Sequence, residues 1–127
     1  MDLRDTPEEA AFRQEVREFI AQNLPESSRV RGARRFEDAD RDWSRKLGEA
    51  GYAGLTWPKE YGGAGAPYSH QAIFLEELAA AEAPSHRGVI GLGMAGPTII
   101  AWGTEAQKER YLAKILSAEE IWCQGFS

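Results

Sequence analysis

Gly91-Leu92-Gly93-Met94-Ala95-Gly96 spells the glycine pattern of a dinucleotide-binding turn, in which absent side chains let a helix N-terminus approach a pyrophosphate. Its flanks argue against that chemistry. Only Val89 and Ile90 stand where a strand should precede it, and residues 104–116 have helical spacing where a second strand is needed. Close packing between helices accounts for these glycines better. Gly62-Gly63-Ala64-Gly65 has the composition of an anion-binding nest, but no Lys-Ser/Thr pair follows it, so a turn is the simpler reading. His70 and His86 are far apart in sequence and have no metal-ligand spacing, which favours surface or core imidazoles over ligands or bases. Cys123, in an apolar stretch without a basic neighbour, reads as an inert buried thiol. Arg29, Arg31, Arg34, Arg35, Arg41 and Arg45 interleave with Glu37, Asp38, Asp40 and Asp42, the pattern of a solvated, ion-paired face. Spacing alone assembles no catalytic constellation.

The elements that would carry these residues are helices. Thr6-Pro7-Glu8-Glu9 combines a capping hydroxyl, a proline at the first helical position and a carboxylate three residues after the cap. Phe12, Val16, Phe19, Ile20 and Leu24 then recur at helical spacing until Pro25 stops the run. Phe36, Trp43, Leu47 and Ala50 mark a second helix ended by Gly51. Residues 51–67 are rich in glycine and hold two prolines, hence a long loop, pinned by Leu55, Trp57 and Tyr61. A third helix follows Ser69 through Ile73, Phe74, Leu78 and Ala81 to a stop before Pro84. Residues 85–95, nearly uncharged, predict a buried helix, and Pro97 opens a short one through Trp102. Thr104-Glu105-Ala106-Gln107 is a second capping box, and Tyr111, Leu112, Ile115 and Leu116 form the stripe of the last helix. The expectation is an all-α domain of about six helices over residues 1–120, followed at 121–127 by the start of a strand that breaks off at Ser127.

Composition narrows the partners. A chain of 127 residues, 43% hydrophobic and 28% charged, suits one globular domain that needs neither disulfide nor metal to complete its core. The net charge of −5 disfavours nucleic acid, which calls for a basic footprint. No stretch reaches the roughly 18 apolar residues of a membrane span. The acidic start, Met1-Asp2-Leu3-Arg4-Asp5, has no apolar signal core, and one cysteine suits a reducing compartment, so a cytoplasmic location is expected.

Four blocks, in consistent order, carry a resemblance. Residues 47–63 (LGEAGYAGLTWPKEYGG), 75–79 (LEELA), 96–112 (GPTIIAWGTEAQKERYL) and 122–127 (WCQGFS) closely resemble the N-terminal helical domain of acyl-CoA dehydrogenases. The last block is similar to the strand leading into that family's flavin loop. One departure is Ala118, where the family usually has glycine.

The resemblance implies a flavoenzyme of three parts: this helical domain, a middle β domain and a C-terminal helical bundle, commonly in homo- or hetero-oligomers. Members oxidise an acyl-CoA substrate to the 2,3-enoyl-CoA with FAD, passing electrons to an electron-transfer flavoprotein. The catalytic base belongs to the C-terminal bundle, so no catalytic residue is expected in this chain, and the isolated chain should be inactive. By the same resemblance Gln124, Phe126 and Ser127 are expected against FAD, and His86, Ile90 and Met94 at the bottom of the acyl pocket. Those three recur at i, i+4 and i+8, which would put them on one helix face. Ordinary core packing is an equal account of Met94. The alternative to an enzyme is a non-catalytic helical packing or interaction module.

Overall fold

Helix α1 (Pro7–Asn23) starts where the capping box closes: Thr6 Oγ1 accepts the Glu9 amide at 3.2 Å, and Glu9 accepts the Thr6 amide at 2.9 Å. The computed structural model describes residues 4–24, 26 and 38–126; the arginine-rich run at 29–35, Phe36, Glu37 and Ser127 lie outside them. Helix α2 (Asp38–Glu49) follows, then a loop containing a one-turn 3₁₀ segment (Lys59–Tyr61), α3 (Tyr68–Ala80), a wide turn (Gly91–Ala95) continuing into α4 (Gly96–Trp102), and α5 (Glu105–Leu116). Among the described residues these are all helical, so the all-α expectation stands. The described part of the charged face is ion-paired and solvated, with Arg45 held by Asp42 and Glu49, both at 2.6 Å.

Apolar residues sort into two cores. The first joins α1, α2 and α3 through Val16, Ile20, Leu24, Trp43, Leu47, Tyr52, Leu55, Phe74 and Leu78. Tyr52 lies parallel to Phe74 with ring centroids 5.2 Å apart, so one aromatic from the loop bridges α3 and the α1 side chain Phe19. The second gathers Trp57 with Leu112, Ile115 and Leu116 of α5. The loop between them is folded on itself: Ala66 donates to Leu55 O (2.8 Å) and Gly65 to Trp57 O (2.9 Å). Gly63 permits this, since a Cβ there would stand 2.1 Å from the Trp57 carbonyl oxygen.

One buried charge ties α1 to α3. Glu77, 6% exposed, accepts from Arg17 Nε (2.7 Å) and from Arg13 Nη1 (2.8 Å), while Arg13 also holds Asp5. The Arg17 hydrogen bond, aided by Arg13, keeps the Glu77 carboxyl below its ordinary range against the opposing effect of burial.

Three expectations need correction. Residues 85–95 do not form a buried helix. His86 draws the Gly88 amide onto its own Nδ1 (2.9 Å), which competes with helical pairing, so the helix begins only at Val89. From there it runs through the wide turn into α4, with Val89 54% and Met94 49% exposed. Two expected helices are therefore one, because Pro97 is accommodated rather than excluded: the Gly96 amide reaches back to Gly91 O, five residues away, and the widened turn makes room for the proline ring. Residues 121–126 have no regular structure here; the strand expected at 121–127 needs a neighbour to pair with, and none stands beside them among the described residues, so that expectation is left untested. Cys123 is accordingly exposed, not buried.

Candidate functional site

The widened turn creates the most informative geometry in the molecule. Pro97 has no amide to offer the Leu92 carbonyl, and the Gly96 amide is committed to Gly91. Trp57 supplies the missing donor, its indole Nε1 reaching Leu92 O at 3.2 Å. The same ring lies against Gly96, where a Cβ would stand 2.1 Å from Trp57 Cζ2. A residue from the glycine-rich loop thus locks the helix in its expanded form.

Beside this lock lies a groove of about 480 Å³. Tyr68, Gln71, Phe74, Leu75 and Leu78 of α3 form one wall, and Val89, Leu92, Gly93 and Pro97 form the other. Leu47, Tyr52 and Trp57 contribute from the buried side. The rim is apolar yet exposed: Tyr68 is 82%, Leu75 54% and Val89 54% accessible. Thr56, Gln71, Ser85, His86 and the hydroxyl-bearing Tyr52 and Tyr68 are the polar side chains among its otherwise apolar lining, an arrangement of the sort that holds small molecules.

His86 lines this groove but is chemically occupied. Its Nδ1 accepts the Gly88 amide, which makes Nε2 the protonated nitrogen, and Nε2 donates to Leu116 O at 3.0 Å. Desolvation pushes its pKa below the ordinary imidazole value, so the ring is neutral and spans two segments rather than serving as a base. Ile90 is half-buried and Met94 half-exposed, and neither is among the residues lining the groove. The shared face expected for the three does not form. His86 precedes the first helical residue, and the wide turn shifts the angular position of Met94.

The positions expected against a flavin lie at the chain's far end. Gln124 and Phe126 are both exposed, Phe126 at 87%, while Trp122 anchors the segment edge-on against Tyr111 with centroids 5.3 Å apart. Ser127 lies outside the described residues. A second concavity, between the 3₁₀ turn and α5, is more polar. Its lysine, Lys108, is engaged by Glu105 (3.0 Å) and the Tyr61 hydroxyl (3.2 Å).

The α3 wall was not singled out from the sequence. Leu75 and Tyr68 look like ordinary members of an apolar helix, and only their exposure in the folded domain marks them. Trp57 was legible as a loop anchor; its role as a hydrogen-bond donor depends on Pro97, distant in sequence.

Known proteins are similar to this chain in sequence and in fold. The family described as acyl-CoA dehydrogenase, N-terminal domain, matches residues 6–119. The acyl-CoA dehydrogenase IpdE1 of Mycolicibacterium smegmatis is 40% identical over 124 residues, which cover 91% of this chain and 31% of that protein. Mitochondrial isovaleryl-CoA dehydrogenase of Pongo abelii is 31% identical, covering 94% of this chain and 29% of its own. Among solved structures, the Tcur3481-Tcur3483 steroid ACAD superposes with a TM-score of 0.80 at 35% identity, over 95% of this chain and 32% of that one. The ChsE4-ChsE5 complex of Mycobacterium tuberculosis does so with 0.78 at 33%, over 94% and 30%. The chain thus spans about a third of the length of these relatives. No described helix is long and apolar enough to cross a membrane. By the family match over nearly its whole length, with the helical order and the groove it builds, this chain belongs to the acyl-CoA dehydrogenase family, as its N-terminal domain.

Proposed function

We propose that this domain works within an FAD-dependent acyl-CoA dehydrogenase that oxidises an acyl-CoA thioester to the 2,3-enoyl-CoA. The observation carrying the proposal is the apolar groove between α3 and the Val89 helix, in a domain of this family. Its walls bury an acyl tail and exclude water, which strengthens any hydrogen bond polarising the thioester carbonyl at the reacting end. His86 stiffens the groove's inner side by holding the Leu116 carbonyl. Ile90 and Met94 extend the apolar surface along the same helix.

The residues at the chain's end fit a flavin. Phe126 offers an unpartnered aromatic face, and Gln124 and Ser127 carry donors and acceptors suited to the polar edge of the ring. Bound FAD supplies the hydride acceptor for the β-hydrogen. The base for the α-proton comes from the remainder of the enzyme, as do the middle β domain that continues residues 121–127 and the docking of an electron-transfer flavoprotein. Assembly as a homo- or hetero-oligomer in the cytoplasm completes the reading. The pair of chains named in each of the two solved structures supports the oligomer.

For the substrate we favour a ring-bearing, steroid-type acyl group. The groove is broad and flanked by aromatic side chains, and one close structural neighbour is a steroid ACAD. The test is a full-length enzyme assayed with an artificial electron acceptor across linear, branched and polycyclic acyl-CoA esters. Flavin bleaching strongest with polycyclic esters is the expected result. Preference for isovaleryl-CoA overturns the substrate class, and no bleaching with any ester favours a non-catalytic module.

A further inference from the structure

A helix that passes through a proline leaves carbonyls short of donors, and here the shortage falls on one atom. In the wide turn the Gly96 amide bonds Gly91 O instead of Leu92 O, and the next residue, Pro97, has no amide. Neither position from which a helix could serve Leu92 O does so, and Trp57 Nε1 reaches it at 3.2 Å. Trp57 is itself fixed. Its amide donates to Gly54 O (3.1 Å), its carbonyl accepts from the Gly65 amide (2.9 Å), and the residue is buried. The surroundings suit this bond. A Cβ at Gly96 would stand 2.1 Å from Trp57 Cζ2 and 3.0 Å from Gly91 O, so a side chain there would displace the indole and the expanded bond together. Gly91 is buried against α5, with Ile115 Cγ2 3.0 Å from where its Cβ would be. Both ends of the wide turn are thus held by other elements.

We propose that Trp57 is a positioning residue for the groove: its indole N–H, by satisfying the Leu92 carbonyl that Pro97 cannot serve, holds the helical wall from Val89 to Pro97 in the wide-turn register. The role at the groove rests on the acyl-CoA dehydrogenase reading above; the coupling of Trp57 to Pro97 does not. A regular helix would return the Gly96 amide to Leu92 O and turn the residues before the insertion by about 100° relative to those after it. Val89 and Leu92 would then no longer share a wall with Pro97, as they do now. Pro97 forbids that register, because its ring would meet the carbonyl four residues back. Forbidding one register does not hold another, since an orphaned, part-buried carbonyl favours local opening of the turn. The indole N–H removes that cost. A tryptophan that merely filled the second core would need the shape of its ring and not its donor.

The experiment uses the full-length, FAD-loaded protein with benzothienylalanine in place of Trp57, which keeps the shape of the ring and replaces its N–H by sulfur, in the wild-type and the Pro97→Ala backgrounds. Amide hydrogen exchange, read by mass spectrometry on peptides spanning residues 89–96, should speed up about tenfold or more in the wild-type background, while peptides of α1 stay unchanged. In the Pro97→Ala background the same replacement should change exchange by less than about twofold, because a backbone amide is then free to serve Leu92 O. For the acyl-CoA ester that the wild type turns over best, KM should rise several-fold with kcat retained, the mark of lost uniform binding. Equal acceleration in both backgrounds, or none in either, overturns the proposal and leaves Trp57 as a filler of the core. Exchange that depends on Pro97 with an unmoved KM overturns the positioning role, and the enzyme reading stands. A wild type that turns over no acyl-CoA ester removes the enzyme reading and the role at the groove together, whereas exchange still decides the coupling of Trp57 to Pro97.

Discussion

Trp43 and Trp57 perform the same local act in two different environments. Each buries its indole, and each donates the ring N–H to a backbone carbonyl: Trp43 to Pro84 O at 2.7 Å, Trp57 to Leu92 O at 3.2 Å. Around Trp43 the three-helix core is closed, with aromatic rings packed tilted or parallel and the Glu77 ion pairs spanning α1 and α3. Around Trp57 the second core is shared with an open groove, and the helix beside it keeps Val89, Met94 and Trp102 exposed. The contrast separates two uses of apolar surface. One region buries it to be stable; the other leaves part of it exposed along the groove.

Truncations should break the symmetry between the two cores most strongly. Ile20 is 4% exposed within the closed core, and Ile20→Ala should cost about 3 kcal/mol by denaturant unfolding, through lost transfer energy plus a cavity. Ile99, half-buried against the second core, should cost about 1 kcal/mol as Ile99→Ala, since its site is partly solvated already. Equal losses would show that the second region is as closed as the first.

Acid should dissect the same two regions. Burial favours the neutral His86 ring, so the unfolded chain takes up that proton first. The associated stability is whole above the ordinary imidazole pKa of 6.5 and drains as pH falls from there through the folded value. Glu77 is held below its ordinary 4.5, so its contribution is whole above 4.5 and is lost as pH falls through its folded value. Denaturant midpoints measured from pH 8 to 3 should show both declines. His86→Gln should remove only the upper one. Glu77→Gln should remove the lower one and cost about 2 kcal/mol at pH 7, because a largely buried carboxylate loses its charge-assisted bonds to two arginines. A single decline abolished by either variant would mean that the regions unfold as one titrating unit.

The smallest effect is at the junction of α5 with the tail. Ala118 has φ +60°, a left-handed conformation that glycine adopts without strain. Ala118→Gly should raise stability by about 0.5–1 kcal/mol, the relief of strain less the entropy glycine loses on folding. A loss of stability on this change would assign the methyl group a packing role. The departure at this position was visible in the sequence as an alanine where relatives usually carry glycine; its cost is visible only in the backbone angle.

Local chemistry made much of this protein readable in advance. Both capping boxes, the helical stripes of α1 and α5 and the anchored loop follow from interactions among residues a few positions apart, whose energetics do not depend on the rest of the fold. The family resemblance extended that reading to the family itself. What tertiary structure alone decided is where long-range partners override local rules. Pro97 ends a helix by local sterics, yet here the helix passes through it, because Trp57, forty residues earlier in the chain, satisfies a carbonyl that the proline leaves orphaned. His86 has helical spacing to Ile90, but its two ring nitrogens bind Gly88 and Leu116, so the helix starts later and the expected common face is lost. Glu77 stands beside Glu76 in the chain, and only the packing of α1 on α3 brings Arg13 and Arg17 onto its buried carboxylate. In each case a hydrogen bond between distant residues outweighs a local preference, because a buried polar group without a partner costs more than the preference does.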